Sequence, residues 1–187
     1  MRKVTAIFSQ NFNVFLEKNN PDLQLNIIFD QEKAIRSTIS PALSVIDAIY
    51  GRGSSVKWII PQLENLCQFS GIKDKLNEFQ YKEIAILIRQ RYYYLKVSEM
   101  LLFFAKVKCG DFGQFYGSID GMKIISALSK FVAWRNAKID EYESEVAVRA
   151  EVDRRSSEKT MTREEYDEIK GTVDMWNLFM VPKYWDR

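Results

Sequence analysis

Four of the chain's eight glycines fall in one run, "CGDFGQFYGSIDG" at 109–121: Gly110, Gly113, Gly117 and Gly121. Glycine is the residue that turns a chain most sharply, and only four prolines help it elsewhere. Outside this corner the 187 residues therefore carry few breakers, which favours long regular elements over many turns. The aromatics Phe112, Phe115 and Tyr116 within the run are expected to fold back over the helix ends that it joins. A phosphate cradle is the competing reading, since a helix follows. Asp111 and Asp120 would repel an anion there, and the Lys-Ser/Thr ending of a P-loop is missing.

Periodicity and caps mark the elements as helices. Val4, Ile7, Phe8, Phe12 and Phe15 recur at three- and four-residue steps over 4–18, before a stop at "NNPD". The stretch "LQLNIIF" fits a short strand, an extended linker or a helical turn. Asp30 is a candidate N-cap for a short helix through Ile35 and Thr38. In "STISPALSVIDAIYG", Ser40 is read as a cap, Pro41 as the first helical residue and Gly51 as the stop. "WIIPQLENLCQFSG" repeats that grammar, with Pro61 near a helix start, Gly71 past its end, and Leu63, Leu66, Cys67 and Phe69 inward. Asn77-x-x-Gln80 has the form of a capping box for a helix through Tyr92, carrying Ile84, Leu87 and Ile88 on one side. A break near 94–98 precedes a helix capped by Ser98 and ending at Gly110, with one unbroken helix over 78–108 as the competitor.

After the glycine corner Asp120 caps a long helix. Ile125, Leu128, Val132, Ile139, Tyr142 and Val146 fall on a heptad-like seam that also holds Arg135. From Asp140 the sequence is charged nearly all round. "RRSSEK" at 154–159 reads as a break, and Thr162-x-x-Glu165 as a capping box for a short helix ending at Gly171. The tail "DMWNLFMVPKYWDR" is strongly apolar for a terminus. The expected fold is all-α: a multi-helix bundle over 1–150, then a charged linker, short helix and aromatic tail over 151–187.

Composition excludes several chemistries. Histidine is absent, which removes imidazole as metal ligand, as neutral-pH base and as the middle of a nucleophilic triad. Cys67 and Cys109 have no histidine to activate a thiolate and read as reduced thiols. No metal, no cofactor and no catalytic residue is expected. The apolar run "MLLFFA" is too short to cross a bilayer. With no targeting segment legible at the start, the expectation is a cytoplasmic protein.

Net charge is +2 but unevenly spread: residues 1–135 hold 18 Lys+Arg against 12 Asp+Glu, residues 136–187 hold 9 against 13. A solvated charged helix after a compact domain explains the split. A basic surface for nucleic acid is the alternative. Its candidate residues are Arg52 and Lys57 in the glycine loop "GRGSSVK", which contains no acidic residue, and Arg89, Arg91 and Lys96 in "RQRYYYLK". Arginine and lysine there would neutralise phosphates while Tyr92, Tyr93 and Tyr94 offer stacking faces. Candidate partner-binding residues are Ile139, Tyr142 and Val146 on the long helix and Trp176, Phe179 and Trp185 in the tail, because aromatic anchors dominate interfaces. The acidic run Asp140, Glu141, Glu143, Glu145 reads as a solvated face.

The run 94–135 resembles a pattern Leu-Lys-x-x-Glu-hydrophobic-Phe-Phe … Gly-x-(Phe/Tyr)-Gly-x-Phe-Tyr-Gly … Asp … Arg found in small uncharacterised helical proteins of bacterial prophages and mobile elements. The resemblance implies a bacterial cytoplasm and a context of element replication or maintenance, and carries no catalytic residue. Together these readings favour a non-enzymatic helical interaction module, self-associating or partner-binding through the long helix and tail. A nucleic-acid-associated accessory protein, whose binding would fall steeply with salt, is the second reading.

Overall fold

The computed structural model describes residues 11–71, 76–113, 120–159 and 163–179, except the side chains of 158–159 and 172–179. Val4, Ile7, Phe8, Phe115, Tyr116, Gly117, Thr162 and Trp185 lie outside the described residues. What is described is all-α: nine α-helices, one 3-10 turn and no strand. The chain forms two compact units, Met1–Ile139 and Asp140–Arg187.

Helix α1 (Phe12–Lys18) starts where the Asn11 side chain accepts from the Asn13 N–H. Its end is held from elsewhere, since the Asn19 carbonyl accepts from Trp58 Nε1 at 2.7 Å and from Gln62 Nε2 at 3.2 Å. The ambiguous "LQLNIIF" resolves as α2 (Leu23–Ile27) and the 3-10 turn Ile28–Asp30. Asp30 does cap α3 (Gln31–Arg36), accepting from Lys33 N at 3.1 Å. That helix ends before Thr38.

Expected helix starts move. Helix α4 (Leu43–Tyr50) begins two residues after Pro41, with Ala42 at the N-cap position. Ser40 caps nothing there. Its hydroxyl accepts from Ser98 N at 2.9 Å, and the Pro41 carbonyl accepts from Val97 N at 2.9 Å. Leu43 N and Ser44 N donate to the Leu95 and Tyr93 carbonyls, each at 2.9 Å. Ala42 and Lys96 form a lone antiparallel bridge in this strip. Helix α5 (Ser54–Phe69) starts seven residues before Pro61, which sits inside it. Proline tolerates a first turn far better than an interior, so the helix keeps Pro61 at a cost that its buried face offsets.

Helix α6 (Glu78–Arg91) opens on the predicted box: Gln80 N donates to Asn77 Oδ1 at 2.9 Å and Asn77 N to Gln80 Oε1 at 2.8 Å. A turn over 92–96 then breaks the chain as expected before α7 (Val97–Lys108), but Lys96 holds the N-cap position and Ser98, the expected cap, lies inside the helix. Ten of the twelve α7 residues are buried, which makes α7 the central rod of the first unit. α2, α3 and α5 pack on it, and α5 also packs on α4 and α6. Phe103 and Phe104 are fully buried, each contributing about 1.5–3 kcal/mol by leaving water.

Helix α8 (Gly121–Lys159) is capped by Asp120, which accepts from Lys123 N at 2.8 Å. Its inward residues are Ile124, Ala127, Leu128 and Phe131. The expected seam is thus rotated: Leu128 stays on it, while Ile125 and Val132 are only half-buried. "RRSSEK" is no break, because α8 runs through it. Nor does Gly171 end the last helix, α9 (Arg163–Phe179).

Candidate functional site

The glycine loop "GRGSSVK" joins α4 to α5. Gly51 and Gly53 take φ of 97° and 89°, the left-handed region that side chains avoid. A helix start with no side-chain cap of its own looks ready for an anion, but α4 already delivers one. Asp47 Oδ1 accepts from Ser55 N at 2.9 Å, in the first turn of α5. Its Oδ2 accepts from Arg89 Nε at 2.8 Å. Burial pushes the Asp47 carboxyl up, yet hydrogen bonds from Ser55 and the charge of Arg89 outweigh it and hold the group below its ordinary value. The loop lacks an acidic residue in sequence but not in space.

The five candidate phosphate contacts therefore divide. Arg52, Lys57 and Arg91 are exposed, Arg91 with its guanidinium 5.6 Å from the Tyr92 ring centre. Arg89 is committed to Asp47, and Lys96 Nζ donates to the Ile35 carbonyl at 3.0 Å. Of the three tyrosines, Tyr92 is buried, while Tyr93 and Tyr94 are exposed and meet edge to face at 5.7 Å.

A second polar centre lies between α7 and α8. Glu99 is fully buried, and the Arg135 side chain reaches it from the edge of the core, 16% exposed. Arg135 donates to Glu99 Oε1 from Nε at 2.8 Å and approaches it with a terminal nitrogen at 2.7 Å. The other carboxylate oxygen accepts from Lys96 N at 2.8 Å, closing the first turn of α7. Sequence reasoning put Arg135 on a seam and missed its partner. Two turns along α7, Lys106 is buried, pairs with Asp111 and lies 4.4 Å from the Trp134 ring centre. Phe112 packs edge-on against Phe131 and Trp134. In the described half of the glycine corner, with Gly110 and Gly113 at φ 86° and 115°, Phe112 thus folds back on α8 while Asp111 stays exposed and pairs with Lys106 from the surface.

Between α6 and α8 runs an open groove of about 1040 Å³, with Leu76, Ile84, Leu87 and Met122 among its apolar lining and Glu83, Arg91 and Lys130 on it. Among the described residues no three His, Cys, Asp or Glu cluster to hold a metal. Cys67 is buried and Cys109 exposed. Burial pushes the Tyr81 phenol, beside Cys67, far above its ordinary value.

The candidate partner residues fall mainly in the second unit. Ile139 and Tyr142 are half-buried and Val146 is exposed. Trp176 and Phe179 belong to α9, their side chains outside the described set. The structure adds Val148 and Val152 on α8, 63% and 59% exposed, and Tyr166 and Ile169 on α9, also exposed. No described side chain of the second unit is buried. Sequence reasoning passed over the two valines because charged residues surround them; their four-residue spacing was the available signal.

No described helix is long and apolar enough to cross a membrane. No curated protein and no solved structure matches the chain. Residues 75–174, which include α6, α7, α8 and the Glu99–Arg135 pair, match a family of unknown function. With more than half its length so matched, this chain belongs to that family, DUF6633.

Proposed function

We propose that this chain is a non-enzymatic helical interaction module that engages a protein partner through α9 and the part of α8 beyond Ile139. One observation carries the reading: Val146, Val148, Val152, Tyr166 and Ile169 are all exposed in a unit without one buried described side chain. Isolated exposed apolar residues are ordinary, but a helical segment that buries none of them gains little from folding alone. A partner surface supplies the missing burial. The polar centres of the first unit argue the same way, because Glu99 and Lys106 are enclosed and Asp47 is spent on a helix start.

The nucleic-acid reading, with its mobile-element setting, stands second. It loses Arg89 and Lys96 to internal partners and keeps Arg52, Lys57 and Arg91.

A photo-crosslinking amino acid placed at Val146, Val152 or Ile169, in the full chain expressed in its native cell, should trap a protein. The same probe at Phe79, exposed on the first unit, should trap none. Adducts absent from all three sites, or found only at Phe79, would remove the proposal.

A further inference from the structure

The interaction reading leaves the partner open, and one face of α8 narrows it. Glu145, Val148, Val152 and Arg155 stand three, four and three residues apart. At 3.6 residues per turn they fall within about 80° of each other around the helix axis. Ile139, Tyr142 and Val146 lie on the other side. The two valines are 63% and 59% exposed, Glu145 is exposed, and the Arg155 side chain is 70% exposed. An acid, two β-branched apolar residues and a base thus form a stripe whose two ends carry opposite charge.

Such a stripe is complementary to itself run backwards. Laid antiparallel on a second copy about a two-fold axis level with Ala150, Val148 meets the other copy's Val152 and Glu145 meets its Arg155. Each contact occurs twice, as an isologous interface requires. A parallel pairing would instead set Glu145 against Glu145 and Arg155 against Arg155. Arg155 Nε already touches Glu151 at 2.7 Å, but an exposed pair within one helix holds weakly and does not prevent sharing.

We infer that the partner of this face is a second copy of the chain, docked antiparallel through Glu145, Val148, Val152 and Arg155. The inference rests on the interaction reading and goes beyond it in naming the partner and the register. The contact is small, so the dimer is weak and concentration-dependent, and salt weakens it further by screening the terminal pairs.

Sedimentation of the full-length chain over a wide concentration range tests it. The wild type should pass from monomer to dimer. Glu145→Arg and Arg155→Glu each replace two attractions with two repulsions and should raise the dimer Kd about tenfold. The double variant Glu145→Arg/Arg155→Glu restores both pairs with their signs exchanged and should return Kd to within about threefold of wild type. Circular dichroism of each variant checks that the helix persists. In a Cys109→Ser background, mixing Val148→Cys with Val152→Cys chains should give the mixed disulfide ahead of either homodimer. A wild type that stays monomeric overturns the second copy yet leaves the interaction reading standing, since another protein can still be trapped at Val152. A dimer indifferent to both charge reversals overturns the stripe.

Discussion

Arg135 and Glu99 are thirty-six positions apart and meet at one carboxylate oxygen, which accepts from Arg135 Nε at 2.8 Å and lies 2.7 Å from a terminal guanidinium nitrogen. The remaining oxygen is occupied by Lys96 N, so the acid is saturated by one base and one helix start. That division explains how a charge with no exposure persists in the core.

Removing one partner leaves the other charged and buried. Arg135→Ala and Glu99→Ala should each cost about 3–5 kcal/mol. Exchanging both for apolar residues, Glu99→Leu with Arg135→Met, should cost clearly less than the sum of the single changes. Urea unfolding of the four variants supplies the cycle, and strict additivity would mean that the pair is not coupled.

Asp47 makes stability depend on acid. Its folded pKa lies below the unfolded value near 3.8, so the unfolded chain binds the proton first as pH falls. The stabilisation is fully present above the unfolded pKa and disappears as pH drops through the folded one. Asp47→Asn should lower stability at pH 7 by about 0.5–2 kcal/mol, as for a lost helix cap, and flatten the decline below pH 4. Urea midpoints of both proteins between pH 3 and pH 7 decide this. Parallel curves would show that Asp47 contributes nothing to the acid limb.

Gly121 opens α8 where α8 meets α6. A Cβ there would stand 2.9 Å from Ile84 Cγ1, closer than side chains pack. Alanine is ordinarily the better helix former by about 1 kcal/mol. Here Gly121→Ala should destabilise by about 1–3 kcal/mol through overpacking. The Ile84→Ala change should cost less in the Gly121→Ala background than in wild type. A thermal melt showing Gly121→Ala above wild type would disprove the clash.

Pro61 lacks the N–H that an interior helical position would use. Pro61→Ala restores that donor, and the urea midpoint should rise, by an amount bounded by the roughly 3 kcal/mol separating the two residues in a helix. A lower midpoint would show that the proline ring contributes more to α5 than its missing donor costs.

What could be read from the sequence was local. The Asn77–Gln80 box, the Asp30 and Asp120 caps and the turn before Val97 each depend on residues within a few positions, and each stands where expected. Misreadings came where distant residues compete. Ser40 looked like a cap, but its hydroxyl serves Ser98; Pro61 looked like a start, but a buried stripe from Trp58 to Cys67 carries the helix across it. Gly171 and "RRSSEK" looked like stops, yet a single glycine or a serine pair costs less than the turns on either side contribute. The loop 51–57 looked free of acid because Asp47 approaches from the preceding helix. On α8 the seam drawn from Ile125 to Val146 hid the stripe of Val148 and Val152, since one helix shows two faces and the sequence does not rank them.

The strip in which residues 41–44 pair with 93–97 has one more effect. Three backbone hydrogen bonds join the two segments, so the hairpin-like corner bearing Tyr93 and Tyr94 is clamped at its base. Two rings mounted on a fixed base keep their mutual angle, and a molecule settling on them need not first bring a wandering loop to rest.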